Sequence, residues 1–294
     1  MTLGKSHIHD IDLRDDVVIK RYRSWARREP HREWAALSLV ATHVPGLAPV
    51  PLRARLDGVP PWIMMTRLPG LPLDGRHVTS DQVAAVADAL TLLHRAVPAD
   101  AVQELRPAVW TPSAAVTRAR TWAERNPDPG GDDPLVAEAF ARGREWLTGP
   151  VPDRLTAGPA APVLGLADGD VSNYLWNPIT GQAHVIDWEH AGRSDRAFEL
   201  AEVAEHISHA DGDRFLSHLT LSSAEAARVR DFRILLAVSW LLMLGPQGPC
   251  PARAGTGELE RQAGRVLALL GHEPAAKPRR RVFTLARPYL GWLS

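Results

Sequence analysis

The chain has 294 residues and one cysteine, Cys250, so no disulfide can form within it. That usage fits a reducing cytoplasm. It also lacks an excess of charge: Lys and Arg number 34, and Asp and Glu number 34. A duplex nucleic-acid binder normally carries a basic excess on at least one domain, so nucleic acid is not an expected partner. Long apolar runs are missing too. The most apolar stretch, FRILLAVSWLLMLG at 232–245, spans 14 residues and contains Arg233. A bilayer crossing needs roughly 20, so this reads as a buried core helix and no membrane partner is expected. The start, MTLGKSHIHD, is polar, without the apolar segment of a secretion signal. No internal repeat or low-complexity tract occurs. No Gly-x-Ser-x-Gly occurs either, which removes the nucleophile elbow of an acyl-transferring enzyme. GKS at 4–6 has neither the earlier glycine nor the preceding strand of a phosphate loop.

What is present is ordinary for a globular chain with a real core: 45% apolar and 23% charged residues. The length suits one large domain or two lobes. DDVVIKRY (15–22) reads as a strand with a β-branched run, and PWIMMTRL (61–68) as a second. Between them, PHREWAALSLVATHV (30–44) has Pro30 in its first turn and Glu33, Leu37 and Val40 on one side, so it reads as a helix. LPGLPLDG (68–75) breaks the pattern. From Thr79 the chain turns helical, with Thr79 and Gln82 at capping-box spacing and Val83, Val86, Leu90, Leu93 and Val97 on one face. Helices follow at 112–125, at 133–148 and from 196 to about 271. The exception is 163–187, a strand pair in which NYLW and AHVID flank the NPITGQ turn.

That hairpin gathers oxygen ligands. Asn173 precedes its first strand and Asp187 ends its second, and antiparallel pairing joins those two ends. Asp168 and Asp170 lie on the loop beside them. Carboxylate and amide oxygens are what hard Mg²⁺ takes. Phosphoryl transfer needs such oxygens, a cation for the phosphates and a carboxylate to orient the acceptor. Lys20, on the strand VVIK, is the cation candidate, with Glu33 preferred over Glu29 as its partner.

DGDVSN…VIDWEHAG, with VVIK and HREWAAL, resembles the aminoglycoside phosphotransferase-like branch of the protein-kinase-like fold. The resemblance spans about residues 15–210 and is strongest at 163–206, where VIDWEHAGRSDRAFELAEVAEH carries the family's Asp-Trp-Glu segment and the helix start after it. It implies an α+β, two-lobed fold: a small, mainly antiparallel-sheet N-lobe over residues 1–67 and a larger, mostly helical C-lobe over 68–294. It implies an ATP- and Mg²⁺-dependent kinase acting on a hydroxyl of a small molecule. Asp168, five residues before Asn173, would be the base, with Asn173 and Asp187 as metal ligands and Lys20 and Glu33 as the phosphate-anchoring pair. The backbone of Met65, Thr66, Arg67 and Leu68 would meet the adenine, and Asp195 would brace the catalytic loop.

Three positions depart from the family's pattern. Leu166-Ala167-Asp168 stands where the family writes His-Gly-Asp. Only Gly4, Lys5 and Ser6 represent a glycine loop, so the N-lobe is expected to start late relative to the family. Glu199 stands where an aspartate is common. Leu166 and the reduced glycine loop motivate a second reading, a catalytically silent pseudokinase that binds nucleotide or a protein partner. Glu189, His190, Glu202, Glu205 and His206 are candidates for an acidic acceptor pocket. Other features read as structural: HIHD (7–10) as a solvated strand, His94 as a satisfied core histidine, and KRYRSWARR (20–28) and KPRRR (277–281) as solvated segments.

Overall fold

The computed structural model describes residues 9–73, 78–126, 133–158, 161–206, 212–251 and 257–271. Gly4, Lys5, Ser6 and the segment KPRRR lie outside them.

The first part of the chain is a four-stranded antiparallel sheet crossed by one helix. Its strands are β1 (Asp10–Leu13), β2 (Val17–Arg21), β3 (Pro51–Arg55) and β4 (Trp62–Thr66), in the spatial order β1-β2-β4-β3. Val17, Val18 and Ile19 favour the extended pleat of β2, whose Lys20 pairs with Ile11 on one side and Ile63 on the other. Helix α1 (Glu29–His43) takes Pro30 in its first turn and buries Glu33, Ala36, Leu37 and Val40 toward the sheet. The apolar members of that stripe, with Tyr22, Ile63 and Met65, make the core of this part. KRYRSWARR is therefore not a wholly solvated segment. Tyr22 is fully buried, because alternation on β2 turns it to the same face as Lys20.

After β5 (Leu71–Pro72), helix α2 (Ser80–Ala96) starts on a full capping box: Gln82 N–H donates to Thr79 Oγ1, and Thr79 N–H to Gln82 Oε1. Val83, Val86, Leu90 and Leu93 face the core. Helices α3 (Ala99–Gln103), α4 (Pro112–Arg125), α5 (Pro134–Thr148) and α6 (Pro150–Leu155) follow. Strand β6 (Val163–Gly165) leads into the hairpin of β7 (Tyr174–Asn177) and β8 (Gln182–Val185), where Tyr174 pairs with Val185 and Asn177 with Gln182. Strand β9 (Gly192–Ser194) precedes α7 (Arg196–His206), α8 (Gly212–Ser217), α9 (Ser223–Leu244) and α10 (Glu258–Leu269). Helix α9 contains the run 232–245 and packs against α4, α7 and α10, which accounts for its apolar sequence. Among the described residues no helix is long and apolar enough to cross a membrane.

The structure also contains a pairing that the hairpin reading omits. β6 pairs with β9, Gly165 opposite Gly192, rather than with β7 or β8. Three-residue strands show no alternation, so only tertiary contact reveals them. Gly165 suits its place because a Cβ there would lie 2.2 Å from Glu199 Oε1 and 2.5 Å from Ser194 Cβ.

Candidate active site

Lys20 is the point at which three segments meet. Its ammonium donates to Glu33 Oε2 of α1 at 2.8 Å and to Asp187 Oδ1 at 2.5 Å, and lies 2.7 Å from Glu189 Oε2. Glu29, the competing partner, instead accepts the Arg27 N–H. The lysine is 5% exposed and Glu33 1%. Burial works against the ammonium, but Asp187, then Glu189 and Glu33, outweigh it and hold its pKa well above the ordinary lysine value. Burial raises the Glu33 pKa despite Lys20. Burial also disfavours charge on Glu189, but Lys20 and His9 reverse the balance and pull it below the carboxylate range.

Asp187 reaches this point through the hairpin. Ile186 N–H donates to Asn173 O, so the end of β8 and the start of β7 are bonded together. Asp187 then adopts left-handed backbone at φ 66, and Trp188 is fully buried and donates its indole N–H to Val185 O. Asp187 and Glu189 both reach Lys20, while Trp188 between them is sealed in the core. Glu189 was expected in the acceptor pocket, but it belongs to the lysine cluster. The Asp-x-Glu spacing was the sequence signal for that.

Asp168 and Asp170 separate by role. Asp170 accepts the Ser172 N–H and so caps the short helical turn Val171–Asn173. Asp168 accepts only the Asp170 N–H among the described bonds. It remains partly open at the surface, yet burial of its carboxyl, reinforced by Asp170 and Asp187 and opposed by His190, raises its pKa to about 7. Asn173 is buried, and its amide nitrogen has no partner.

The bracing of this loop differs from expectation. Asp195 accepts the Ala197 N–H and the Arg228 guanidinium, at 2.6 and 2.9 Å, and so ties α7 to α9. Glu199 is the residue that holds the loop. Its Oε2 accepts the N–H groups of Leu166 at 2.9 Å and Ala167 at 3.3 Å, and its Oε1 accepts the Ser194 hydroxyl. The longer Glu side chain reaches up from α7 to these amides. Glu205 is paired with Arg233 and Arg265 at 2.7 and 2.5 Å. His206 contacts Glu202 O and packs edge-to-face against Trp240. Glu202 is buried with Oε2 unpartnered, and burial beside Glu199 and Asp168 drives its pKa well up.

The segment Met65-Thr66-Arg67-Leu68 has little free backbone. Met65 pairs within the sheet, Thr66 N–H donates to Val50 O, and Arg67 N–H donates to Asp16 O. Two histidines also depart from expectation. His94 is buried at both ring nitrogens but bonded at neither. His9 is 6% exposed rather than solvated, with Nε2 2.8 Å from Glu189 Oε2.

The cluster suits a divalent cation by its donor chemistry. Ligand oxygens of Glu33, Asp187 and Glu189 lie within 4.8 Å of one another. Every donor there is a hard oxygen of the kind Mg²⁺ takes, and the Lys20 ammonium lies 2.8, 2.5 and 2.7 Å from Glu33, Asp187 and Glu189.

The profile of the phosphotransferase enzyme family matches residues 7–232. Viomycin phosphotransferase of Streptomyces vinaceus is 30% identical over 213 residues, which cover 68% of this chain and 70% of that protein. Among solved structures, the GDP complex of aminoglycoside 2′-phosphotransferase-IIIa aligns with a TM-score of 0.62 at 17% identity, over 92% of this chain and 91% of that one. Choline kinase LicA from Streptococcus pneumoniae aligns with a TM-score of 0.59 at 15% identity, over 92% of each. At these identities the two structures establish the fold: α+β, with a small antiparallel-sheet part and a larger helical part.

Proposed function

The chain belongs to the phosphotransferase enzyme family, and from that premise we propose that it transfers the terminal phosphoryl group of a nucleoside triphosphate, ATP in the first instance, to a hydroxyl of a small molecule. The observation that carries this reading is the buried Lys20 ammonium held by carboxylates from α1 and from the segment after β8. Lys20 binds the phosphates and Glu33 fixes its direction. Asn173 and Asp187 hold Mg²⁺, which would neutralise phosphate charge when bound. Asp168 orients the acceptor hydroxyl and takes its proton, and a pKa near 7 suits that task. The adenine meets the backbone of Met65, Thr66, Arg67 and Leu68 at the groups that sheet pairing leaves free, the Leu68 N–H first, since the Thr66 and Arg67 amides are spent. In this reading the cleft falls between an N-lobe ending at residue 67 and a C-lobe from 68, and the enzyme works in the cytoplasm, where nucleotide and Mg²⁺ are supplied.

The test is ADP release with ATP and Mg²⁺ over an acceptor panel that begins with viomycin and includes aminoglycosides and choline. Turnover with at least one acceptor is expected, and Asp187→Asn should abolish it. Nucleotide binding without transfer to any acceptor would overturn the kinase reading and leave the silent one.

A further inference from the structure

Two aromatic rings next to Lys20 have no part in the reading above. The rings of His9 and Tyr22 pack against each other at a tilt of 54°, with centroids 4.8 Å apart. Both are nearly sealed from water, at 6% and 0% exposure. Each presents one donor to one of the carboxylates that flank the lysine. The Tyr22 hydroxyl donates to Glu33 Oε2 at 2.5 Å, the same oxygen that accepts from Lys20. His9 Nδ1 accepts the Arg23 N–H, so in the neutral ring the proton sits on Nε2. That nitrogen faces Glu189 Oε2, which is also the oxygen nearest Lys20. The His9 contact is short but bent away from hydrogen-bond alignment, a geometry that can tighten when ligand arrives.

We propose that His9 and Tyr22 are a paired positioning device: each ring orients one carboxylate, and together they aim the Lys20 ammonium at the nucleotide phosphates. Neither ring touches the reacting atoms. A lysine on a four-carbon stem is flexible, and three carboxylates could draw it into several directions. Fixing Glu33 from one side and Glu189 from the other leaves one direction. The tilted ring contact couples the two, and the backbone bond from Arg23 fixes the histidine to the chain just after β2. The arrangement also explains why the segment before β1 is held against the sheet at His9.

The inference rests on Lys20 being the phosphate anchor, and the experiment separates the two claims. Wild type, Tyr22→Phe, His9→Leu, His9→Gln and Lys20→Arg are compared for Mg·ADP affinity by calorimetry, kcat, acceptor KM and thermal midpoint. Tyr22→Phe and His9→Leu are each expected to weaken nucleotide binding and lower kcat about five- to tenfold, with acceptor KM within about twofold. His9→Gln, which keeps a donor toward Glu189, should stay within about twofold of wild type throughout. Tyr22→Phe removes a single oxygen, and so decides the matter even if His9→Leu does not fold. Unchanged affinity and kcat in Tyr22→Phe and His9→Leu, with Lys20→Arg impaired, overturns the proposal alone. So does a loss that follows the thermal midpoint and includes His9→Gln. Unchanged nucleotide affinity in Lys20→Arg overturns the anchor reading itself.

Discussion

Lys20 Nζ and Glu33 Oε2 lie 2.8 Å apart with both side chains nearly closed to solvent, joining β2 to α1 across the sheet. Removing the lysine leaves Glu33, Asp187 and Glu189 crowded without a cation. Lys20→Met is therefore expected to cost on the order of 3–5 kcal/mol of stability at neutral pH. The sign with pH follows from the same crowding. Unpaired buried carboxylates have folded pKa values above their unfolded ones, so the variant should regain stability as pH falls and lose it as pH rises. Urea unfolding at pH 5 and pH 8 checks this, and equal losses at both would contradict it.

Asp168 sets a pH dependence for turnover. Its pKa is raised to about 7, first by burial and then by Asp170. As the base it must be ionised, so kcat/KM should rise with pH and level off above that value. A profile already flat at pH 5 would count against this role. Asp168→Asn should lose roughly a hundredfold or more of turnover. The raised pKa also means that the carboxyl favours folding at low pH, and that this contribution is lost as pH rises through about 7. Asp168→Asn should therefore be relatively more stable than wild type above pH 7, as thermal melts at pH 6 and pH 8 would show.

The loop before Asp168 is strained and braced. Ala167 holds φ 54, a left-handed conformation that costs a residue with Cβ roughly 1–2 kcal/mol. Ala167→Gly should stabilise the fold by about 1 kcal/mol or less, because glycine gives part of this back in unfolded-chain entropy. Glu199→Ala removes the acceptor for two buried N–H groups and a hydroxyl. Each donor left unsatisfied costs about 1–3 kcal/mol, so a loss of about 3 kcal/mol or more and a fall in kcat are expected together. A catalytically normal Glu199→Ala would remove the loop-bracing role.

Glu205 makes the opposite prediction. Its carboxylate lies between Arg233 and Arg265, with 2% of the side chain exposed. Glu205→Ala leaves Arg265 without its carboxylate and Arg233 with Asp213 alone, and should cost about 3 kcal/mol in chemical unfolding. Nucleotide affinity at low temperature, where the variant stays folded, should not change. A selective loss of acceptor affinity would restore Glu205 to the acceptor pocket.

Much of this arrangement was legible because it depends on local pattern. The capping box at Thr79 and Gln82, the apolar stripe of α1 and the turn between Asn177 and Gln182 are each decided within a few residues. The choice of Glu33 over Glu29 followed from the helix boundary, because Glu29 precedes Pro30 at the helix start while Glu33 lies inside the helix. The hairpin brought Asn173 near Asp187 by register alone. What escaped was long-range. His9 precedes Glu189 by 180 positions and looked like part of a polar start. Glu199 and Asp195 are both acids near one helix start, and only the direction of each side chain separates a loop brace from a helix tie.

The order of residues alone determined the longer helices, the strands β2 and β4, the apolar faces and the set of oxygens on one hairpin, since short-range sterics and periodicity dictate those. Tertiary structure decided which carboxylate meets which cation, which acid holds the loop and which proton sits near neutral pH. Those outcomes depend on distances of a few ångströms in a medium shielded from water, where a contact between residues far apart in the chain outweighs any local preference.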